Sequence, residues 1–249
     1  MMMNTDPSFR LADMTSPEVR AEIVNGRTTV VVPFGAVEQH GPHLPLATDA
    51  ILGDHLGALI AERLNGFCAP TIPIGCSKHH IAFPGTLSIQ PETLRMIVHD
   101  LIESLVGHGF RRIVLLPTHG GNEEPLKRAA TESKRDGLTI VVPSLSAIVA
   151  ALLADARARG LTPGDEGGHA GELETSLMLA LAPHLVRTGL MEPGYTGPLD
   201  EAVTNLLFRE GAAALSANGV LGDPRGSSPA TGQVYVAGFV DTVQAQLPQ

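Results

Sequence analysis

Cysteine is scarce in this chain of 249 residues, which has only Cys68 and Cys76. Two thiols are too few for a disulfide framework or a thiolate zinc site, so any metal must be held by imidazole and carboxylate. Basic charge is also in short supply. Lysine and arginine number 17 against 26 acidic residues, the formal net charge is -9, and no stretch gathers the basic residues into a cluster. This excludes a nucleic-acid footprint and favours a small-molecule ligand. Long apolar runs are missing too, because nothing stays apolar for the roughly 20 residues that a membrane span needs. The opening MMMNTDPSFRLADM has neither a basic n-region nor an apolar h-region. A cytoplasmic protein with no membrane partner is expected. No internal repeat or shift of composition divides the chain, so one domain over 1–249 is expected.

What the sequence does contain alternates between helix and strand signals. Ser16-Pro17-Glu18 opens a helix that Asn25-Gly26 stops, and the run from Thr28 to Val32 follows as a strand. Ile51, Leu52, Leu56, Leu59, Ile60 and Leu64 recur at helical spacing, and Ala69 to Ile74 reads as a short strand. Pro91 to Gly107 is a helix, RRIVLLP a buried strand, Glu123 to Arg135 a helix, LTIVVP a strand, and a further helix runs to about Arg159. The segment 160–170 is a Gly-rich loop, and GELETSLMLAL returns to helical spacing. Strands that are apolar throughout and alternate with helices predict an α/β fold: a three-layer α/β/α sandwich with a mainly parallel sheet.

Three polar clusters fall at strand ends, where ligands of such sheets collect. They are VEQHGPHLPLATD, IGCSKHHIAFPGT and THGGN. The first packs Glu38, His40, His43 and Asp49 into a dozen residues. Glu38 and His40 are two apart, so an extended segment sends both to one side. His119 leaves its strand toward the same edge, and Gly120 and Gly121 let backbone approach a ligand at the next helix N-terminus. Each residue also has a plainer role open to it: Asp49 as a helix cap, His119 as a turn residue. Their gathering at successive strand ends is what favours a metal site.

EQHGPHLPLATD, GCSKHHIAFPGT, THGGN and HAGELETS, in this order, resemble the creatininase (creatinine amidohydrolase) family of metal-dependent amidohydrolases, and NGVLGDPRGSSPATG resembles its closing segment. The resemblance implies a centre of two divalent metal ions, zinc and/or manganese with iron possible, at which Glu38, His40, Asp49 and His119 match ligand positions and Asp49 bridges. It also implies a homohexamer, an active-site histidine at His169, and pocket positions at Ser77 and His80. A histidine before a helix can instead cap it, and Ser77 or His80 can stabilise its own turn. Cys76 reads as a small buried residue and Lys78 as solvated.

The departures bear on substrate. Creatinine-hydrolysing members clamp their flat ring with tryptophan, and this chain has none. Gly120 and Gly121 stand where those members carry an aromatic residue and a glutamate, as in the His-Gly-Gly-Asn branch of the family. Loss of that carboxylate leaves a donor missing, so Glu174 is expected to ligate metal and join His169 in catalysis, while Glu172 is expected to be a solvated first-turn acid. The function expected is hydrolysis, by metal-activated water, of an amide or cyclic C-N bond, non-peptide, in a small polar molecule other than creatinine. C-C ring hydrolysis of a cyclitol- or carbohydrate-derived ketone, and a non-catalytic metal-binding scaffold, are the alternatives.

Overall fold

The computed structural model describes residues 10–160 and 168–248. Its helices are α1 (Ser16–Val24), α2 (Thr48–Arg63), α3 (Pro91–His108), α4 (Glu123–Glu132), α5 (Leu145–Ala158), α6 (Glu172–Leu181), α7 (Glu201–Glu210) and α8 (Pro229–Ala245). Its strands are β1 (Thr29–Phe34), β2 (Phe67–Cys68), β3 (Arg112–Pro117) and β4 (Thr139–Val141), all parallel in the order β2-β1-β3-β4.

Strand side chains alternate between two separate cores, which is what makes the fold three layers deep. Val30, Val32 and Phe34 of β1 and Ile113 and Leu115 of β3 pack with Leu94, Val98 and Ile102 of α3 and Leu126 of α4. Val31, Val114 and Leu116 face the other way, onto α2, α5, α6 and α8, where Leu56, Leu152, Leu177, Met178 and Phe239 are buried. The near-continuous apolar runs of β1 and β3 follow from this double burial.

Three elements differ from those expected. The strand expected over Ala69 to Ile74 is β2 at Phe67–Cys68, followed by one bridge of Ile72 to Phe34, because Pro70 and Pro73 offer no N-H to a ladder. The helix expected to reach Arg135 ends at Glu132. Strand β1 continues beyond Val32 through Pro33 to Phe34, because the neighbouring β3 pairs with it residue for residue to Pro117. Most of the loop expected over 160–170 lies outside the described residues, as does most of the opening segment. Among the described residues, no helix is long and apolar enough to cross a membrane.

Register positions the site. Phe34 pairs with Pro117 on one side and bridges Ile72 on the other, so the segments that leave β1, β2 and β3 start level with one another. Thr118 then donates its N-H to the Phe34 carbonyl, and its hydroxyl to the Asp49 carbonyl at the head of α2.

Candidate metal centre

Asn122 ties the three strand ends together. Its side-chain nitrogen donates to the carbonyls of Phe34 and Gly35, and its oxygen accepts the N-H of Cys76. Gly121 is required for the same junction, since a Cβ there would lie 2.3 Å from the Cys76 carbonyl oxygen and 2.6 Å from the His119 ring. Glu38, His40, Asp49 and His119 are buried together as a result. Asp49 faces His40 Nε2 with one oxygen at 3.3 Å and His119 Nδ1 with the other at 3.2 Å. His119 Nδ1 also lies 3.3 Å from Glu38 Oε1.

Helix α6 brings the remaining groups. Glu174 Oε2 is 3.7 Å from His40 Nε2, and it accepts the backbone N-H of Ala170, a non-glycine residue held at φ +55°. His169 Nδ1 lies 3.6 Å from Glu38 Oε1 and 4.0 Å from Glu174 Oε2. His80 Nε2 is 3.5 Å from Glu38 Oε1, and Ser77 is buried behind His119, with its hydroxyl 3.5 Å from Nε2. Gly120, Gly121, His80, His169 and Glu174 line a cavity of about 640 Å³, to which α5 and α7 contribute a mostly apolar side, with Leu145, Val149, Leu153, Val203, Leu207 and Phe208 beside Ser146, Arg157 and Thr204.

The donor set fits divalent ions. The His40 Nδ1-H faces the Glu38 carbonyl at 3.1 Å and the His119 Nε2-H faces the Cys76 carbonyl at 3.2 Å, so each ring turns its other nitrogen to the cluster. Both Glu38 oxygens, Asp49 Oδ2 and His40 Nε2 are buried without a hydrogen bond, a costly arrangement for a protein that keeps such atoms for no ligand. Donor atoms converge in three ion-sized groups: His40, Asp49 and Glu174; Glu38, His40 and His169; and Glu38, His79 and His119.

Charge leads to the same conclusion. Burial opposes ionisation of Glu38, but His119 above all holds its carboxyl well below the usual range. Burial likewise opposes charge on His40 and His119. Asp49 and Glu174 nevertheless hold His40 up at about 9, while Glu38 and Asp49 hold His119 well above its ordinary value. Glu174 is pushed up to about 7, since burial and the Asp49 carboxylate raise it against the pull of His40. The cluster therefore pairs two carboxylates with two imidazoles, and a cation in their place would let Glu174 ionise as well.

Two residues sit elsewhere than their sequence suggested. His43 turns to the Thr175 hydroxyl at 2.9 Å, and burial pushes it down to about 4. Glu172 is not a solvated acid: it is buried beneath α8 and accepts from the hydroxyls of Ser176 and Tyr235, each at 2.7 Å. It is covered because α6 packs against α2 and α8 from its first turn. Sequence reasoning missed His79, whose ring lies parallel to that of His119 with centroids 5.6 Å apart, and Gln39, buried between the ligand candidates. Their positions inside the KHH and EQH triplets were the available signal.

A parallel sandwich with a buried histidine-carboxylate cluster at the carboxyl ends of its strands is the framework of a metal-binding α/β protein with an active-site cleft. The family description creatininase, creatinine amidohydrolase, matches residues 12–247, and the chain belongs to that family of hydrolases. A protein of Mycobacterium ulcerans (strain Agy99) named mycofactocin precursor peptide peptidase is 35% identical over 222 residues, covering 86% of this chain and 82% of its own. Creatinine amidohydrolase of Pseudomonas putida is 30% identical over 262 residues, covering 97% and 98%. A crystal structure of creatinine amidohydrolase superposes with a TM-score of 0.81 at 27% identity, covering 97% and 99%.

Proposed function

We propose that this protein hydrolyses an amide or cyclic C-N bond with the help of two divalent cations, held by Glu38, His40, Asp49, His119 and Glu174. The observation that carries this reading is the set of buried, unbonded donor atoms on Glu38, His40 and Asp49 beside an open cavity. When bound, such ions polarise an amide carbonyl and acidify a water. Zinc and manganese are the metals proposed, in keeping with related creatininase structures of manganese and Zn-Zn types.

The chain's own residues bind, orient and move the proton. His169 presents Nδ1 at the cavity edge, within reach of Glu38 and Glu174, and is the group proposed to carry a proton to the leaving nitrogen. Gly120 and Gly121 leave the approach to His119 open, and the α5 and α7 side chains give the far wall its mostly apolar character. That wall favours a substrate with an apolar group beside its scissile amide, short peptides among them, over a wholly polar molecule. The peptidase named among the relatives supports this choice. We further propose one domain over 1–249, a homohexamer and a cytoplasmic location, on the family resemblance and the composition.

The test is turnover of a panel of cyclic amides, formamides and short apolar peptides by chelated and by zinc- or manganese-loaded protein. Activity that vanishes on chelation and returns with metal is expected. Failure to cleave any amide, or activity indifferent to chelation, overturns the reading.

A further inference from the structure

Gln39 is 5% exposed, yet every polar group it owns has a partner. Its backbone N-H donates to the Thr86 hydroxyl at 3.1 Å. Its side-chain oxygen accepts the N-H of Gly41 at 3.0 Å, and its side-chain nitrogen donates to the Gly219 carbonyl at 3.0 Å. Those two backbone partners have fixed polarity, so they settle which end of the amide is nitrogen. Gly219 leaves the space for it, because a Cβ at that residue would lie 1.9 Å from the Gln39 side-chain oxygen.

The same nitrogen lies 2.9 Å from His80 Nδ1. An amide nitrogen only donates, so His80 Nδ1 must accept and the ring's hydrogen sits on Nε2, which faces Glu38 Oε1 across 3.5 Å. The backbone carbonyl of Gln39 acts on a second ring in the opposite sense. It lies 2.6 Å from His169 Nε2, and a carbonyl only accepts, so that nitrogen carries the hydrogen. In the neutral ring, Nδ1 is then the bare nitrogen, 3.6 Å from the same Glu38 oxygen. The antiparallel bridge of His169 to Leu221 holds the ring there, through backbone hydrogen bonds of 3.1 and 2.8 Å.

We propose that Gln39 is a positioning residue that sets the same Nε2-H tautomer in two histidines and turns opposite edges of them to Glu38, the N-H of His80 and the bare Nδ1 of His169. Glu38 Oε1 thereby faces an N-H at 3.5 Å on one side, a contact of favourable polarity rather than a hydrogen bond. On the other side is a lone pair, which demands a proton or a cation between itself and the carboxylate. The assignment rests on the proposed metal-dependent hydrolysis only for its purpose. The tautomers themselves are readable without any substrate.

The experiment uses the full chain labelled with ¹⁵N-histidine, in metal-free form near neutral pH, with ring nitrogens assigned by His80→Gln and His169→Gln. Two-bond ¹H-¹⁵N spectra are expected to show His80 unprotonated at Nδ1 and protonated at Nε2, and His169 protonated at Nε2. In Gln39→Glu the new carboxylate can only accept, so the His80 Nδ1 signal should move to the protonated range. Zinc affinity, read by competition with a chromophoric chelator, should fall about 10- to 100-fold, the usual cost of losing a partner behind the ligands. His80→Gln keeps a nitrogen donor at the Nε2 position and should bind zinc more tightly than His80→Ala. A wild-type His80 protonated at Nδ1 overturns the proposal, as does a Gln39→Glu protein with unchanged His80 signals. Should Gln39→Glu fail to fold, the wild-type spectrum and that of Gln39→Met, which lacks any donor, decide the matter. An enzyme that cleaves no amide would leave these tautomers standing, and a wrong tautomer would leave the proposed hydrolysis intact.

Discussion

Asp49 and His119 meet at 3.2 Å through Oδ2 and Nδ1, while the far nitrogen of the ring is spent on the Cys76 carbonyl. A ligand pair held this way is preformed before any ion arrives. His119→Ala should therefore lose metal and at least about 100-fold in activity, with the fold kept because His119 belongs to neither apolar core. Elemental analysis and circular dichroism on one preparation check this. Full metal content in the variant contradicts the ligand set.

Glu174 and Glu172 are two residues apart on one helix and have opposite surroundings. Glu174→Gln should lower metal occupancy and activity together with little change in folding. Glu172→Gln should keep its metal but lose about 1–3 kcal/mol of stability, since it disturbs a buried acceptor of two hydroxyls. Denaturant unfolding beside metal analysis separates the two, and equal metal loss in both would remove the distinction.

Creatinine should be turned over poorly, because the chain has no tryptophan to stack on a flat ring and the α5 and α7 side of its cavity is mostly aliphatic, with Phe208 its one aromatic residue. Efficient conversion of creatinine to creatine in steady-state kinetics would contradict this, and it is a demanding test given the 30% identity to a named creatinine amidohydrolase.

Far from the site, Glu132 joins α3 to α4. Hydrogen bonds from His99 first, then from Arg128 and Arg95, hold its carboxyl down at about 2, against an ordinary value of 4.5. A depressed carboxylate contributes its stability above the ordinary value and loses it as pH falls toward the folded one. Glu132→Gln should thus unfold at lower denaturant than the wild type at pH 7, and the gap should begin to close below about pH 5. Solvent exposure keeps the effect small, and added salt should shrink it. A gap that widens on acidification would reverse the sign of this argument.

The sandwich was legible in the sequence because burial on both faces leaves an unmistakable mark, as in RIVLLP and TVVVPF. The edge strand was not, since Pro70 and Pro73 break the ladder while Ile72 and Ile74 keep the apolar look of a strand. At the site, Glu38, His40, Asp49 and His119 stood out as chemistry-bearing residues in irregular segments, and the structure brings all four together. Gln39 and Glu172 were beyond reach for a common reason. Their roles depend on partners 41 and 180, or 63, residues away, and local spacing cannot report such contacts. The first turn of α6 looked solvated because sequence does not reveal that α8 lies across it.

Asn122 has a consequence for how this site can change over evolutionary time. By joining the ends of β1 and β3 to the loop that carries Cys76, it makes an insertion in any one of those segments felt in the other two, and so at every ligand between them. The α5 and α7 side of the cavity is outside that junction. Residues such as Leu145, Val149, Val203 and Leu207 line the cavity there without supplying a donor atom. Diversification of substrate should accordingly accumulate on two helices while the ion-holding half stays frozen, a division of labour in which one residue at a strand end constrains three loops and leaves the opposite wall free to drift.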